Sequence, residues 1–315
     1  MKKSFPLVFT LTLFLALAQN VFAGEVLGDF DGDHISDIAV YRAPLQPGQS
    51  STWYILQSMT NSLRVVQWGT SGDVALPFDY DGDDKADVAV ARPSQTLTDF
   101  TWYILKSSNN QLRVVQWGSP SLGDQPLPGE YDGDGQTDIA VIRFSNYTWY
   151  ILQSSNSQLR AQQWGMSGDE PVPFGDYDGD NKVDIAVRRY DQGLSTFFIL
   201  LSTNNSLFAK RWGIEEDETA PVDFDGDGKA DVAVWRPSNG TWYISRSLDG
   251  GFQSQPFGTM DDTPLPGDFD GDGKADYVVY RGGTFVNPQS FWYILQSTNN
   301  QFRAVPWGQQ GDYSL

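Results

Sequence analysis

The stretch Asp223-Phe-Asp-Gly-Asp-Gly-Lys-Ala-Asp231 has near copies beginning at Asp29, Asp79, Glu130, Asp176 and Asp268. A motif recurring six times along one chain constrains the fold more than any other feature, because each copy must be one structural unit stacked on its neighbours. The second acids of the clusters, Asp31, Asp81, Asp132, Asp178, Asp225 and Asp270, lie 50, 51, 46, 47 and 45 residues apart. Units therefore start near 28, 79, 129, 175, 222 and 267.

Every unit carries the same punctuation. The acidic loop leads into a β-type run such as Asp37-Ile-Ala-Val-Tyr-Arg42, followed by a turn rich in Pro, Ser and Gly. A second run is headed by an aromatic pair: Trp53-Tyr54, Trp102-Tyr103, Trp149-Tyr150, Phe197-Phe198, Trp242-Tyr243 and Trp292-Tyr293. β-branched and aromatic residues in short alternating runs are strand residues. A hairpin rich in Asn and Ser leads to a third run ending in Trp-Gly, or in Phe257-Gly258 in the fifth unit. The fourth run, Asp73-Val-Ala-Leu-Pro-Phe78 and its equivalents, is short and carries Pro, which suits an edge strand. No segment has sustained helical periodicity. Four short strands per unit predict an all-β fold, a six-bladed β-propeller of four-stranded blades with one acidic loop per blade. A closed ring is favoured over a solenoid. The tail Gly311–Leu315 aligns with Gly72–Leu76, and Gly24–Leu27 aligns with Val74–Pro77, so both ends occupy one slot of the repeat.

Lys2 and Lys3, the apolar run Phe5–Ala18 and the Val21-Phe22-Ala23 end read as a secretory signal peptide over residues 1–23, with the repeats filling 24–315. The run is too short for a spanning helix, so export to the cell exterior or envelope is expected, with no membrane insertion. The formal net charge is −19 and becomes two units more negative without Lys2 and Lys3. That charge excludes nucleic acid as a partner and favours cations. Cysteine is absent, so no disulfide staples the fold.

The acidic loop supplies another staple. Counting from its first acid, carboxylates fall at positions 1, 3, 5 and 9. They are Asp29, Asp31, Asp33 and Asp37; Asp79, Asp81, Asp83 and Asp87; Glu130, Asp132, Asp134 and Asp138. The second half of the chain has Asp176, Asp178, Asp180 and Asp184; Asp223, Asp225, Asp227 and Asp231; Asp268, Asp270, Asp272 and Asp276. Alternate oxygens around a tight loop point at one centre, as the six to eight oxygen ligands of Ca²⁺ require. Position 7 varies freely, holding Ile35, Lys85, Gln136, Lys182, Lys229 and Lys274, as a backbone carbonyl ligand allows. Position 6 holds His34, Asp84, Gly135, Asn181, Gly228 and Gly273, residue types that tolerate positive φ. Magnesium fits less well, because it demands a strict octahedron and retains water.

Trp-Gly or Phe-Gly, a short strand, then Asp-Phe-Asp-Gly-Asp-Gly-Lys-Ala-Asp and Val-Ala-Val resembles the FG-GAP and VCBS-type repeats of integrin alpha-chain propellers and bacterial secreted proteins. The resemblance spans 24–315 and implies that each calcium loop joins the first and second strands of a blade. It departs from the integrin pattern in having six blades, all with an acidic loop, and Arg-Pro-Ser at 236–238 in place of Gly-Ala-Pro. An integrin-like ligand face is therefore not implied.

Two further residues repeat. Arg42, Arg92, Arg143, Arg189, Arg236 and Arg281 lie five residues past position 9, and Asp73, Asp124, Asp169, Asp217, Asp262 and Asp312 follow each Trp-Gly or Phe-Gly. A structural ion pair is expected, with an anion or sugar contact as the sharper alternative. His34 is the single histidine and lies in a metal loop, which disfavours a Ser-His-Asp triad and a His-ligated zinc site. The chain is expected to be a monomeric calcium-binding adhesion or recognition module for an extracellular protein or glycan, not an enzyme. The alternative is a glycosidase or polysaccharide lyase using Glu215, Glu216 and Glu218, which cluster at one unit junction. The variable segments 43–52, 93–101 and 282–291 are where blade-specific contacts are expected.

Overall fold

A computed structural model describes residues 28–46 and 48–315; the expected signal peptide and residues 24–27 lie outside them. Six antiparallel four-stranded sheets make up a β-propeller. Blade 2 shows the plan: inner strand Val74–Ala75, second strand Val88–Pro93, third strand Phe100–Leu105 and outer strand Leu112–Gln116, paired in that order. The acidic loop joins the inner and second strands, as expected. Helical structure among the described residues is a single 3₁₀ turn, Pro120–Leu122.

Composition follows distance from the axis. The second strand is buried on both sides, so Val88, Ala89, Val90 and Ala91 form an unbroken apolar run. The third strand alternates, with Trp102 and Ile104 inward. In the outer strand every other residue is exposed.

Blades are held by packing between sheets. One core cluster joins Trp102 and Ile104 of blade 2 to Trp149 and Ile151 of blade 3 and Val187 of blade 4. The tryptophan of each Trp-Gly reaches across a junction: Trp68 Nε1 donates to Tyr103 O at 3.2 Å, Trp117 to Tyr150 O at 2.9 Å and Trp164 to Phe198 O at 2.9 Å. Trp307 closes the circle by donating to Tyr54 O at 3.1 Å. Each half-buried indole N–H thereby has a partner across the junction, and a glycine of positive φ follows each of these tryptophans.

Blade 1 combines both ends of the described chain. Its inner strand is Asp312–Ser314, paired with Ile38–Arg42 through Val40↔Ser314, Tyr41↔Tyr313 and Arg42↔Asp312. Leu315 N–H continues the ladder to Ala39 O at 3.0 Å, and Asp37 N–H donates to Gly28 O at 3.0 Å further along the same edge.

Candidate metal centres

Each acidic loop is built around its position-1 carboxylate. Asp79 Oδ1 accepts the N–H groups of Asp81 at 3.0 Å and Gly82 at 2.6 Å, and its Oδ2 accepts that of Asp84 at 2.8 Å. Glu130 makes the same three bonds, to Asp132, Gly133 and Gly135 at 2.9, 2.6 and 2.5 Å, so its extra methylene is absorbed. The wrap requires position 6 at positive φ, and His34, Asp84 and Asn181 adopt 63°, 62° and 63° there. Position 4 is glycine in every loop, also at positive φ.

The remaining carboxylates are oriented by neighbours. Position 9 accepts the N–H of position 2, as in Phe30 to Asp37 at 2.8 Å, and the N–H of a serine in the hairpin between third and outer strands, Ser58 to Asp37 at 2.6 Å. The hydroxyl of that serine donates to position 5, as from Ser107 to Asp83 at 2.7 Å and Ser202 to Asp180 at 2.8 Å. These serines, Ser58, Ser107, Ser154, Ser202, Ser247 and Ser297, are functional residues the motif reading passed over. Each stands five residues after the first aromatic of its pair, so the signal was present in the repeat.

Position 3 is different. In all six loops its Oδ1 is buried without a hydrogen-bond partner: Asp31, Asp81, Asp132, Asp178, Asp225 and Asp270. A buried anionic oxygen left unpaired is costly, and no protein donor bonds it in any of the six loops. Burial also pushes the position-9 carboxyls Asp37, Asp87, Asp138, Asp184, Asp231 and Asp276 up to about 7. One ligand atom from each member of five triads falls within 4.8 Å of the others: Asp29, Asp31 and Asp33; Asp79, Asp81 and Asp87; Glu130, Asp132 and Asp138; Asp176, Asp178 and Asp180; Asp223, Asp225 and Asp231. Such clusters could hold a metal ion, and their all-oxygen donor set suits a hard divalent cation.

Position-7 side chains reach across to the neighbouring loop. Lys85, Gln136, Lys182, Lys229, Lys274 and Ile35 each lie over the position-4 glycine of the neighbouring loop, namely Gly32, Gly82, Gly133, Gly179, Gly226 and Gly271. This leaves the main-chain carbonyl as the oxygen that position 7 has to offer. A Cβ on Gly32 would stand 2.8 Å from Lys85 Cε, so the flexible end of the lysine would have to shift to admit a side chain there. Position-8 N–H groups complete the linkage by donating to the position-1 carbonyl of the same neighbour: Ala86 to Asp29, Thr137 to Asp79, Val183 to Glu130, Ala230 to Asp176, Ala275 to Asp223 and Ser36 to Asp268, at 2.6 to 2.8 Å. The six loops form a continuous ring.

The repeated Arg and Asp meet on the opposite face. Arg92 forks onto Asp73 with Nε and Nη2 both at 2.8 Å, and Arg42 does the same to Asp312 at 2.6 and 2.8 Å. The guanidinium stacks on the aromatic of the third strand, 4.5 Å above Tyr103 in blade 2. The aspartates are buried, which makes these pairs structural.

One place on that face breaks the repeat. Where other blades have Tyr41, Ala91, Ile142, Trp235 and Tyr280, blade 4 has buried Arg188. Its Nη2 bonds Glu170 Oε2 at 2.9 Å, which also accepts the Tyr190 hydroxyl at 2.6 Å, and its Nη1 bonds Asp217 O of blade 5. Burial raises the Glu218 carboxyl to about 6, against the opposing effect of Arg188. Glu216 instead accepts the Ser238 hydroxyl at 2.7 Å.

The FG-GAP-like repeat model matches residues 130–187 and 223–279. The chain carries FG-GAP-like repeats. Each matched FG-GAP-like segment starts at position 1 of an acidic loop and runs into the second strand of the following blade. No curated protein matches the sequence. Among solved structures, TolB from Acinetobacter baumannii is similar at a TM-score of 0.58 and 18% identity, over 92% of this chain and 68% of that one. A putative 6-phosphogluconolactonase from Bacteroides fragilis gives 0.49 and 14%, over 89% and 83%. The β-propeller domain of the Trilobed protease from Pyrococcus furiosus gives 0.47 and 11%, over 86% and 80%. At such identities the TolB likeness is one of fold alone.

Proposed function

We propose that the protein is an exported calcium-binding β-propeller that acts as an adhesion or recognition module, with a glycan or an extracellular protein as its ligand. The observation that carries the calcium reading is the unpartnered, buried position-3 oxygen, repeated in all six loops. Ca²⁺ supplies the missing partner, and its loose coordination accepts four carboxylates and a main-chain carbonyl. The residues that would hold it are positions 1, 3, 5 and 9 and the carbonyls of Ile35, Lys85, Gln136, Lys182, Lys229 and Lys274. The basic start and apolar run of residues 2–18 support export. Sixfold repetition of one surface supports recognition by many weak contacts, which gain through avidity.

Extracellular modules commonly bind Ca²⁺ with Kd of about 10⁻⁴ to 10⁻³ M, so millimolar calcium would stabilise the fold by about 0.5 to 1.5 kcal/mol per site. Six sites together rival the net stability of a whole domain. Calorimetric titration should give a stoichiometry near six with a rising Tm, and a chelator should reverse both. A Tm identical with and without chelator, and no retained metal, would refute the reading. Glycan-array binding that EDTA abolishes tests the recognition role.

A second reading, a carbohydrate-active enzyme, is favoured by the charged break at Arg188, Glu170 and Glu218, because a catalytic site is usually a unique place in a repetitive chain. Polysaccharide cleavage lost in a Glu215/Glu216/Glu218 triple alanine variant that still binds calcium would support it. Absence of cleavage would remove it.

A further inference from the structure

We propose that the six loops fill in a set order: those at Asp79, Asp223 and Asp268 bind calcium tightly, and those at Asp29, Glu130 and Asp176 bind it weakly. The inference rests on the calcium reading above and concerns the ranking of the sites. Its basis is how many side-chain cations of the protein already face each loop.

Two positions deliver all but one of them. One is the second residue of the outer strand, Arg64, Arg113, Arg160, Phe208, Gln253 and Arg303 in blade order, and the other is position 7 of the neighbouring loop. The Asp29 loop receives both: Arg64 Nη1 is 3.4 Å from Phe30 O, and Lys85 Nζ donates to Asp31 O at 2.8 Å. The Glu130 loop also receives both, with Arg160 Nη1 at 3.1 Å from Tyr131 O and Lys182 lying over Gly133. At the Asp176 loop the outer-strand residue is the apolar Phe208 and Lys229 covers Gly179; the second charge is the loop's own Lys182, which lies between this loop and the Glu130 loop and so faces both, its Nζ 3.6 Å from Asp180 Oδ2.

The other three loops face one cation each. Arg113 Nη1 is 3.4 Å from Tyr80 O in the Asp79 loop, where the covering residue is the neutral Gln136 and Asp84 adds a carboxylate. Lys274 Nζ donates to Asp225 O at 2.9 Å in the Asp223 loop, while Gln253 is neutral and bonds the Tyr277 hydroxyl. The Asp268 loop has Arg303, which lines one cavity with Phe269 and Asp270, and the neutral Ile35 over Gly271.

A unit charge fixed one residue from the ligand carboxylates repels a dication by an amount that weakens binding roughly tenfold near a protein surface. The same charge neutralises the empty loop, which lowers the gain on binding further. Both effects act in one direction. Arg64, Arg113 and Arg160 each contact a carbonyl next to two ligand carboxylates, which anchors their charge at the loop.

The test is a calcium titration of the full chain at low ionic strength, where screening is least, followed by calorimetry and by Tm. Two classes of three sites, roughly tenfold apart, are expected. Lys85→Gln copies the neutral residue found at the next loop and should shift the count to four tight and two weak. Gln136→Lys should shift it to two tight and four weak. Both substitutions keep the position-7 carbonyl and touch no core residue. A single class in the wild type, or counts that neither variant changes, overturns the ranking while leaving the calcium reading standing. No calcium binding at all overturns the calcium reading, and the ranking with it.

Discussion

Position 3 of each loop concentrates the chemistry of the molecule in one oxygen atom. Its partner carboxylates at positions 1, 5 and 9 accept N–H and hydroxyl bonds from within the loop and from the adjacent hairpin, whereas its Oδ1 accepts none. A loop that spends its donors in this way presents one anionic face to a single centre. Replacing Asp225 by Asn should therefore remove one calcium from the stoichiometry and leave the other loops filled, read by calorimetry. Glu218 is a separate case. Its carboxyl is raised to about 6 from an ordinary 4.5 because burial penalises the charged form. The native state then binds more protons than the unfolded chain between about pH 4.5 and 6, so this group's contribution to stability is lost as pH rises through that window. Glu218→Gln should flatten the pH dependence by about 1 to 2 kcal/mol between pH 5 and 7.5, measured by urea unfolding at saturating calcium.

At the scale of the strands, the Arg-Asp pairs join the inner strand of each blade to its second strand at the face opposite the loops. Asp124 is fully buried and receives Arg143 Nε at 2.6 Å and Nη2 at 2.9 Å, while its Oδ2 also accepts Ser119 N–H at 2.7 Å. The inner strand is only three residues long, Asp124–Pro126, and Pro126 cannot donate to the ladder, so the side-chain fork substitutes for missing backbone bonds. Arg143→Met should cost about 1 to 3 kcal/mol by leaving a buried carboxylate short of its fork, with Arg143→Lys intermediate because an ammonium cannot fork. Urea midpoints of the three proteins give the order. The aromatic heads of the third strands act through burial instead, and Trp102→Ala should cost about 3 to 5 kcal/mol.

At the scale of the whole molecule, a ring of blades is as strong as its closure. Blade 1 takes its inner strand from Asp312–Ser314, and Trp307 and Ser36 bond across the blade 6 to blade 1 junction to Tyr54 and Asp268. Ending the chain after Gly311 would leave Arg42 without Asp312 and the Ile38–Arg42 strand without its inner neighbour. Such a variant should lose more than about 10 °C in Tm, since several kcal/mol of pairing and packing vanish from one blade. Its remaining calcium sites should also weaken, because the loop ring then rests on an unclosed sheet.

Repeat number, four strands per unit, the carboxylate positions and the positive φ of position 6 were all legible in the residues alone, because each is settled by contacts within a single unit. The bonds that wrap a loop on its position-1 acid span five residues or fewer, and turn and strand preferences act over similar distances. Three other features arise only when blades come together. Lys85 meets Gly32, Ser36 meets Asp268 and Arg188 meets Asp217 across separations that no local pattern encodes. The sequence displays a glycine at position 4 and a variable residue at position 7; only the tertiary ring shows that one lies over the other, because that contact exists between neighbouring loops and not within either.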